Sequence, residues 1–266
     1  MNDTLATLNW LVEAGADEAI ADAPVNRLAA KPAVAPPPAA RAPAPAARPA
    51  PARAPAPVLD ADAIGGAQAA AASATTLAEL QAALEAFDGC PLKRTATNTV
   101  FADGVPAGRV MLIGEAPGRD EDRIGKPFVG RAGQLLDKML AAIGLDRKTN
   151  AYITNVINWR PPDNRDPTPE EAAACLPFLR RHIELAEPGI IILLGAVAAR
   201  HVVGISDGIM KLRGRWLEYR VGDRMVPLMP TLHPAYLLRQ PAHKKLAWRD
   251  LQAVRARMEQ LGLPEP

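Results

Sequence analysis

Cysteine is scarce. Cys90 and Cys175 are the only two in 266 residues, which excludes a disulfide framework. No run of about 18 apolar residues occurs, so no membrane-spanning helix is expected. The N-terminus has no basic flank leading into an apolar core and cleavage site, so no secretory signal is expected. The cytoplasm is then the default compartment. Neither sign of charge is in excess: the formal net charge is +2, so any phosphate-binding role must rest on a local basic face. The patterns GxxxxGK[ST] and GxGxxG are both missing, which argues against a P-loop and a dinucleotide fold.

What is present divides the chain in three. Thr4 to about Ala21 has Leu5, Leu8, Leu11 and Val12 on one helical side, so residues 1–23 are expected to form a short helix that could dock on a protein partner. From about Ala29 to Val58 the chain is almost wholly Ala and Pro, with too few large apolar groups to offset ordering entropy. Residues 24–75 are therefore expected to be a disordered, partly polyproline linker. Residues 76–266 are the length of one domain with a single core, expected to act as a monomer.

Within that domain, apolar runs alternate with helical stretches. Strands are expected at Arg109–Gly114, Tyr152–Val156, Ile190–Gly195 and Pro227–Leu232, with a further strand or hairpin in Leu212–Tyr219. Helices are expected over Ala132–Ile143, from Thr168 onward and over Lys244–Leu261. Thr168 followed by Pro169, Glu170 and Glu171 is a helix-start signature. The order βαβαβαβα predicts a three-layer αβα domain with a central four-stranded parallel sheet. Such sheets bind ligands beyond the carboxyl ends of their strands. The unusual residues fall there: Glu115–Gly118 after the first strand, Asn155 in the second, His233-Pro234 after the fourth.

Three segments carry a family resemblance. GEAPGRDEDRIGKPFVGRAGQLL, ITNVINWRPPDNR and LHPAYLLRQP are similar, in order and spacing, to the signature regions of the iron–sulfur class of uracil-DNA glycosylases, and the likeness spans about Cys90 to Met258. The resemblance implies an enzyme that flips uracil from DNA and hydrolyses its N-glycosidic bond. Phe128 would stack on the base. Asn155 would present an acceptor to uracil N3–H and a donor to O4. His233 would donate to O2 as negative charge accumulates there. The founding class of these enzymes has Asp where this chain has Ala116, which leaves Glu115, then Asp120, as the carboxylate for water. Backbone at Ala116–Gly118 would crowd C5 and exclude thymine. Leu237 or Leu238 would wedge into the gap left by the flipped base. Arg239, Arg131, Arg165 and Lys126 are candidates for phosphate.

The resemblance also implies a four-iron cluster on four cysteines, and here the chain departs from its pattern. Phe87 stands where the first ligand would be and Trp159 where the third would be, leaving Cys90 and Cys175. No cluster and no other metal is therefore expected, with the two aromatics filling the volume. Two other functions remain open from sequence: a glycosylase for hypoxanthine or xanthine, and a uracil-DNA binding protein with little turnover. Between Asp122 and Pro127 there are only four residues, RIGK, so the inserted basic loop of a covalently capturing relative is missing.

Overall fold

The computed structural model describes residues 61–263. The expected N-terminal helix and the Ala/Pro-rich stretch to Val58 lie outside the described residues.

The central sheet has six strands: β1 (Ala102–Gly104), β2 (Val110–Gly114), β3 (Ala151–Asn155), β4 (Ile190–Leu194), β5 (Leu217–Val221) and β6 (Arg224–Thr231). Their order is β1-β3-β2-β4-β6-β5. The expected four parallel strands are its centre, with β3, β2, β4 and β6 in parallel register, such as Gly114 opposite Asn155 and Leu194 opposite Thr231. At each edge one antiparallel strand extends the expected sheet, β1 on β3 and β5 on β6. The fourth central strand begins at Arg224 rather than Pro227, because it also pairs with β5 across a tight turn at Gly222.

Alternation along the strands separates two cores. Met111 and Ile113 of β2 face one, with Ile191 and Leu193 of β4; Val110 and Leu112 face the other, with Ile190 and Ile192. The first core is covered by α1 (Ala61–Ser73), α2 (Leu77–Ala86), α5 (Pro169–Ala186) and α6 (Ala196–Val203). The second is covered by α4 (Arg131–Ala141) and α9 (Lys244–Gln260). Three short helices complete the order: α3 (Arg119–Ile124), α7 (Ile209–Leu212) and α8 (Pro234–Arg239).

Helix α1 corrects the expected linker boundary. Its thirteen residues fall within 24–75, yet they are helical. No proline occurs between Pro57 and Pro91, and the alanine-rich stretch after Pro57 has high helix propensity. Ala67 and Ala71, with Ala74 just past the helix end, are buried in the core that holds Phe178 and Ile183 of α5. Arg181 of α5 donates from Nε and Nη2 to the Ala74 carbonyl at 2.9 and 2.8 Å. At the start of α5, Thr168 and Glu171 form a reciprocal capping box with Pro169 behind the cap.

Candidate active site

All four parallel strands end on the same side of the sheet, and their carboxyl ends frame a cavity of about 440 Å³. Glu115, Ala116 and Gly118 line it after β2, Gly195 after β4, and His233 and Arg239 after β6. Asn155 and Phe128 sit one layer behind this lining, 2% and 5% exposed.

Gly114 makes that deep layer feasible. A methyl group there would lie 2.4 Å from Asn155 Oδ1 and 2.6 Å from the Phe128 ring, so only a hydrogen lets strand, amide and ring close together. Phe128 itself adopts the left-handed region at φ 53°, which a bulky residue does not enter without support. Arg147 supplies it, donating from Nη2 to the Phe128 carbonyl at 2.8 Å and from Nη1 to the Pro127 carbonyl at 3.1 Å. Asp103 and Asp137 hold this guanidinium in turn. Just beyond, Glu121 Oε1 accepts from the amides of Val129 and Gly130, both at 2.9 Å, and so fixes the backbone that leads into α4.

His233 caps α8. Its Nδ1 accepts from the Ala235 amide at 3.1 Å, which leaves the proton of a neutral ring on Nε2. Burial, helped by the charge of Arg239, pushes its pKa down to about 4. The imidazole is thus neutral at physiological pH and is a fixed Nε2–H donor. Its ring centroid lies 5.5 Å from that of Phe128, with the planes 35° apart. Asn155 Oδ1 is a buried acceptor without a partner among the described residues. Such an atom costs free energy unless a ligand donor reaches it.

Two carboxylates line the cavity, Glu115 after β2 and Asp166 in the loop before α5; Glu115 is the one that burial perturbs. Burial first, and then the nearby charge of Asp166, push the Glu115 pKa up to about 7, against the opposing pull of Arg200. Asp120, the alternative, lies on the exposed face of α3 with Arg123 3.8 Å away, outside the cavity lining. Of the two wedge candidates, Leu237 is 1% exposed and packs with Leu232 and Ala247, while Leu238 is 39% exposed beside it. Arg131 is exposed at the start of α4, and Arg239 stands at the cavity mouth. Arg165 is engaged in a two-pronged pair with the buried Glu171, at 2.6 and 2.8 Å. Lys126 pairs with Asp103 at 3.0 Å. Sequence reasoning missed Arg147, Glu121, Asp166 and Arg200. Arg147 and Glu121 act on carbonyls and amides remote in the chain, and nothing local distinguishes them from surface charges.

Cys90 and Cys175 are both fully buried in one core cluster with Trp159 and Phe178. Trp159 is 1% exposed and donates from Nε1 to Thr99 Oγ1 at 3.0 Å. Phe87 packs on Phe178, with centroids 5.2 Å apart. Two thiols, an indole and a phenyl ring do not match the four thiolates that a four-iron cluster takes. No group of three or more His, Cys, Asp or Glu side chains with metal-binding geometry occurs among the described residues. The described helices also include none long and apolar enough to cross a membrane.

A crevice at the carboxyl ends of a parallel sheet, walled by a neutral histidine and backed by an aromatic ring and an amide oxygen without a partner, suits recognition of a flat base. The family model described as "Uracil DNA glycosylase superfamily" matches residues 101–252. The chain belongs to that superfamily. It is 40% identical over 176 residues to the type-4 uracil-DNA glycosylase of Thermotoga maritima, covering 65% of this chain and 90% of that protein. It is 44% identical over 156 residues to the type-4 uracil-DNA glycosylase of Archaeoglobus fulgidus, covering 57% of this chain and 78% of that protein. A third, from Sulfurisphaera tokodaii, is 39% identical over 171 residues, 62% of this chain and 77% of its own.

Proposed function

We propose that this protein is a monofunctional uracil-DNA glycosylase that acts without an iron–sulfur cluster. The observation that carries the reading is the placement of His233, which lines the cavity with its Nδ1 accepting from the Ala235 amide, so that Nε2 is left to carry the N–H.

The flipped base meets Phe128 on its face, and base–aromatic stacking is worth on the order of 1–3 kcal/mol. Uracil N3–H donates to Asn155 Oδ1, the acceptor that lacks a partner. The Asn155 amide nitrogen donates to O4. Cytosine offers the opposite pattern and would leave these groups unpaired. As the bond between N1 and C1′ breaks, its electron pair moves into the base and charge builds on O2. His233 Nε2–H donates there without transferring its proton. Water adds to the cationic sugar on the face opposite the departing base, and Glu115 orients it and takes its proton. The backbone at Ala116–Gly118 crowds C5 and excludes the thymine methyl. Arg239 and Arg131 hold phosphates and Leu238 fills the vacated stack.

The missing cluster is supported by the two-thiol donor set and by the filling of the remaining volume by Phe87 and Trp159. Buried free thiols at Cys90 and Cys175 agree with work in the reducing cytoplasm, where the DNA substrate lies.

The test is purified protein on labelled strands carrying one uracil, thymine or hypoxanthine. Abasic sites in the uracil strand alone support the reading. Release of hypoxanthine instead would transfer it to deaminated purines, and binding of uracil DNA without release would make this a binding protein.

A further inference from the structure

We propose that the groove between α4 and α9 is a second DNA subsite, one that stacks an undamaged base of the strand a few nucleotides from the flipped uracil. It rests on the reading of the main site as a DNA glycosylase.

The groove encloses about 240 Å³. Leu237 and Leu251 form its buried floor, and Leu135 and Met139 of α4 one wall. Trp248 stands on the other side, 42% exposed although it is among the largest apolar side chains of the domain. An indole left half open over an apolar slot is a platform for a flat ring.

Charge identifies the ring as part of a nucleic acid. Lys138 and Lys244 line the slot, and Lys245 is exposed next to it. None of the three has a carboxylate within ion-pair distance among the described residues, and no acidic side chain lines the groove. The nearest acids in sequence are already used: Asp137 by Arg147 and Asp250 by Arg213. An apolar slot rimmed by unpaired cations fits bases carried on phosphates.

Position then connects the groove to the uracil cavity. Helix α8 separates them: Tyr236 and Arg239 line the cavity, Leu237 lines the groove, and Leu238 is exposed between. A strand leaving the cavity crosses α8, about 10–12 Å wide with its side chains, and so reaches the groove within a few nucleotides of the uracil.

The experiment compares single-stranded substrates with uracil flanked by one nucleotide or by six on each side. Wild-type protein is expected to have a KM roughly tenfold lower on the long strand. Trp248→Ala removes that gain and leaves kcat and KM on the short strand unchanged, whereas Trp248→Phe retains it. Lys138→Ala with Lys244→Ala lowers the slope of log affinity against log salt by about 1 to 2. A length dependence untouched in Trp248→Ala overturns the proposal while leaving the glycosylase reading intact. If uracil is released from neither strand, the glycosylase reading fails instead. Anisotropy with an undamaged labelled strand then judges the groove alone: equal affinity of wild type and Trp248→Ala overturns it, as it would if the groove served an acidic peptide.

Discussion

The rings of Phe128 and His233 stand 5.5 Å apart at 35°, too close for a base to lie between them. A sandwiched base needs about 3.5 Å on each side, roughly 7 Å in all. The two side chains are therefore adjacent walls of one space, with Phe128 under the face of the base and His233 at its edge. Phe128 is nearly covered in the free protein, so binding must open the layer that Gly114 allows to close.

Gly114→Ala tests that layer. A methyl group within 2.6 Å of Phe128 and Asn155 forces both to shift, so uracil release should fall at least 100-fold. The circular dichroism spectrum should stay that of the wild type. Retained activity would show that the deep pair has slack.

Arg147→Ala removes the donors to the Phe128 and Pro127 carbonyls and leaves Asp103 and Asp137 short of a partner. A loss of about 1–3 kcal/mol of stability is expected in urea titration, with a raised KM as Phe128 leaves its left-handed backbone. A drop in stability alone, with KM unchanged, would separate the arginine from base binding.

Asn155→Asp replaces an amide donor by an acceptor. Uracil release should drop by roughly 100-fold or more, because O4 then faces a carboxylate. Equal rates would remove Asn155 from base recognition.

Glu115 gives a pH signature. Its pKa of about 7 predicts a rate that climbs as pH rises from 6 to 8, since the ionised form takes the proton of water. Glu115→Gln should lower the rate and flatten the climb. Stability runs the other way. A carboxyl whose pKa is raised by folding, from 4.5 to about 7, binds its proton more tightly in the folded state. Its contribution is present below 4.5 and is lost as pH rises through 7. Glu115→Gln should therefore melt higher than wild type at pH 8 and about equally at pH 5. A flat wild-type rate profile would exclude the carboxylate from water activation.

Much of this arrangement was legible in the residues, for identifiable reasons. The run Ile190–Leu194 is apolar on both faces, and only a central parallel strand buries both. Thr168 to Glu171 wrote a helix start in four adjacent residues. Glu115, Asn155 and His233 follow from strand ends, because parallel topology gathers those ends at one edge. What escaped depends on contacts far apart in the chain. Strand β1 has three residues, Ala102–Gly104, and exists by pairing with β3. Helix α1 is held by burial against α5, which its composition does not announce. Leu237 and Leu238 are equal as letters, and only the phase of α8 buries one and exposes the other. Arg147 meets Phe128 across nineteen positions, a distance no local pattern spans.

Phe87→Cys combined with Trp159→Cys tests the account of the missing cluster. The double variant supplies the four thiols that a four-iron cluster takes, and on anaerobic reconstitution it should gain iron and visible absorption that wild type lacks. Iron bound by wild type after the same treatment would contradict the two-thiol argument.

The central claim is that a neutral His233 stabilises charge on the departing base. Single-turnover release of uracil from a labelled oligonucleotide measures it most directly, comparing wild type with His233→Ala across pH 5 to 9. The account predicts a loss of roughly 100-fold or more in the variant, with DNA affinity nearly unchanged. It also predicts that Glu115→Gln, which removes the climb near 7, leaves no inflection near 6.5, since a pKa of about 4 keeps this ring neutral throughout. Equal rates for wild type and His233→Ala would contradict it.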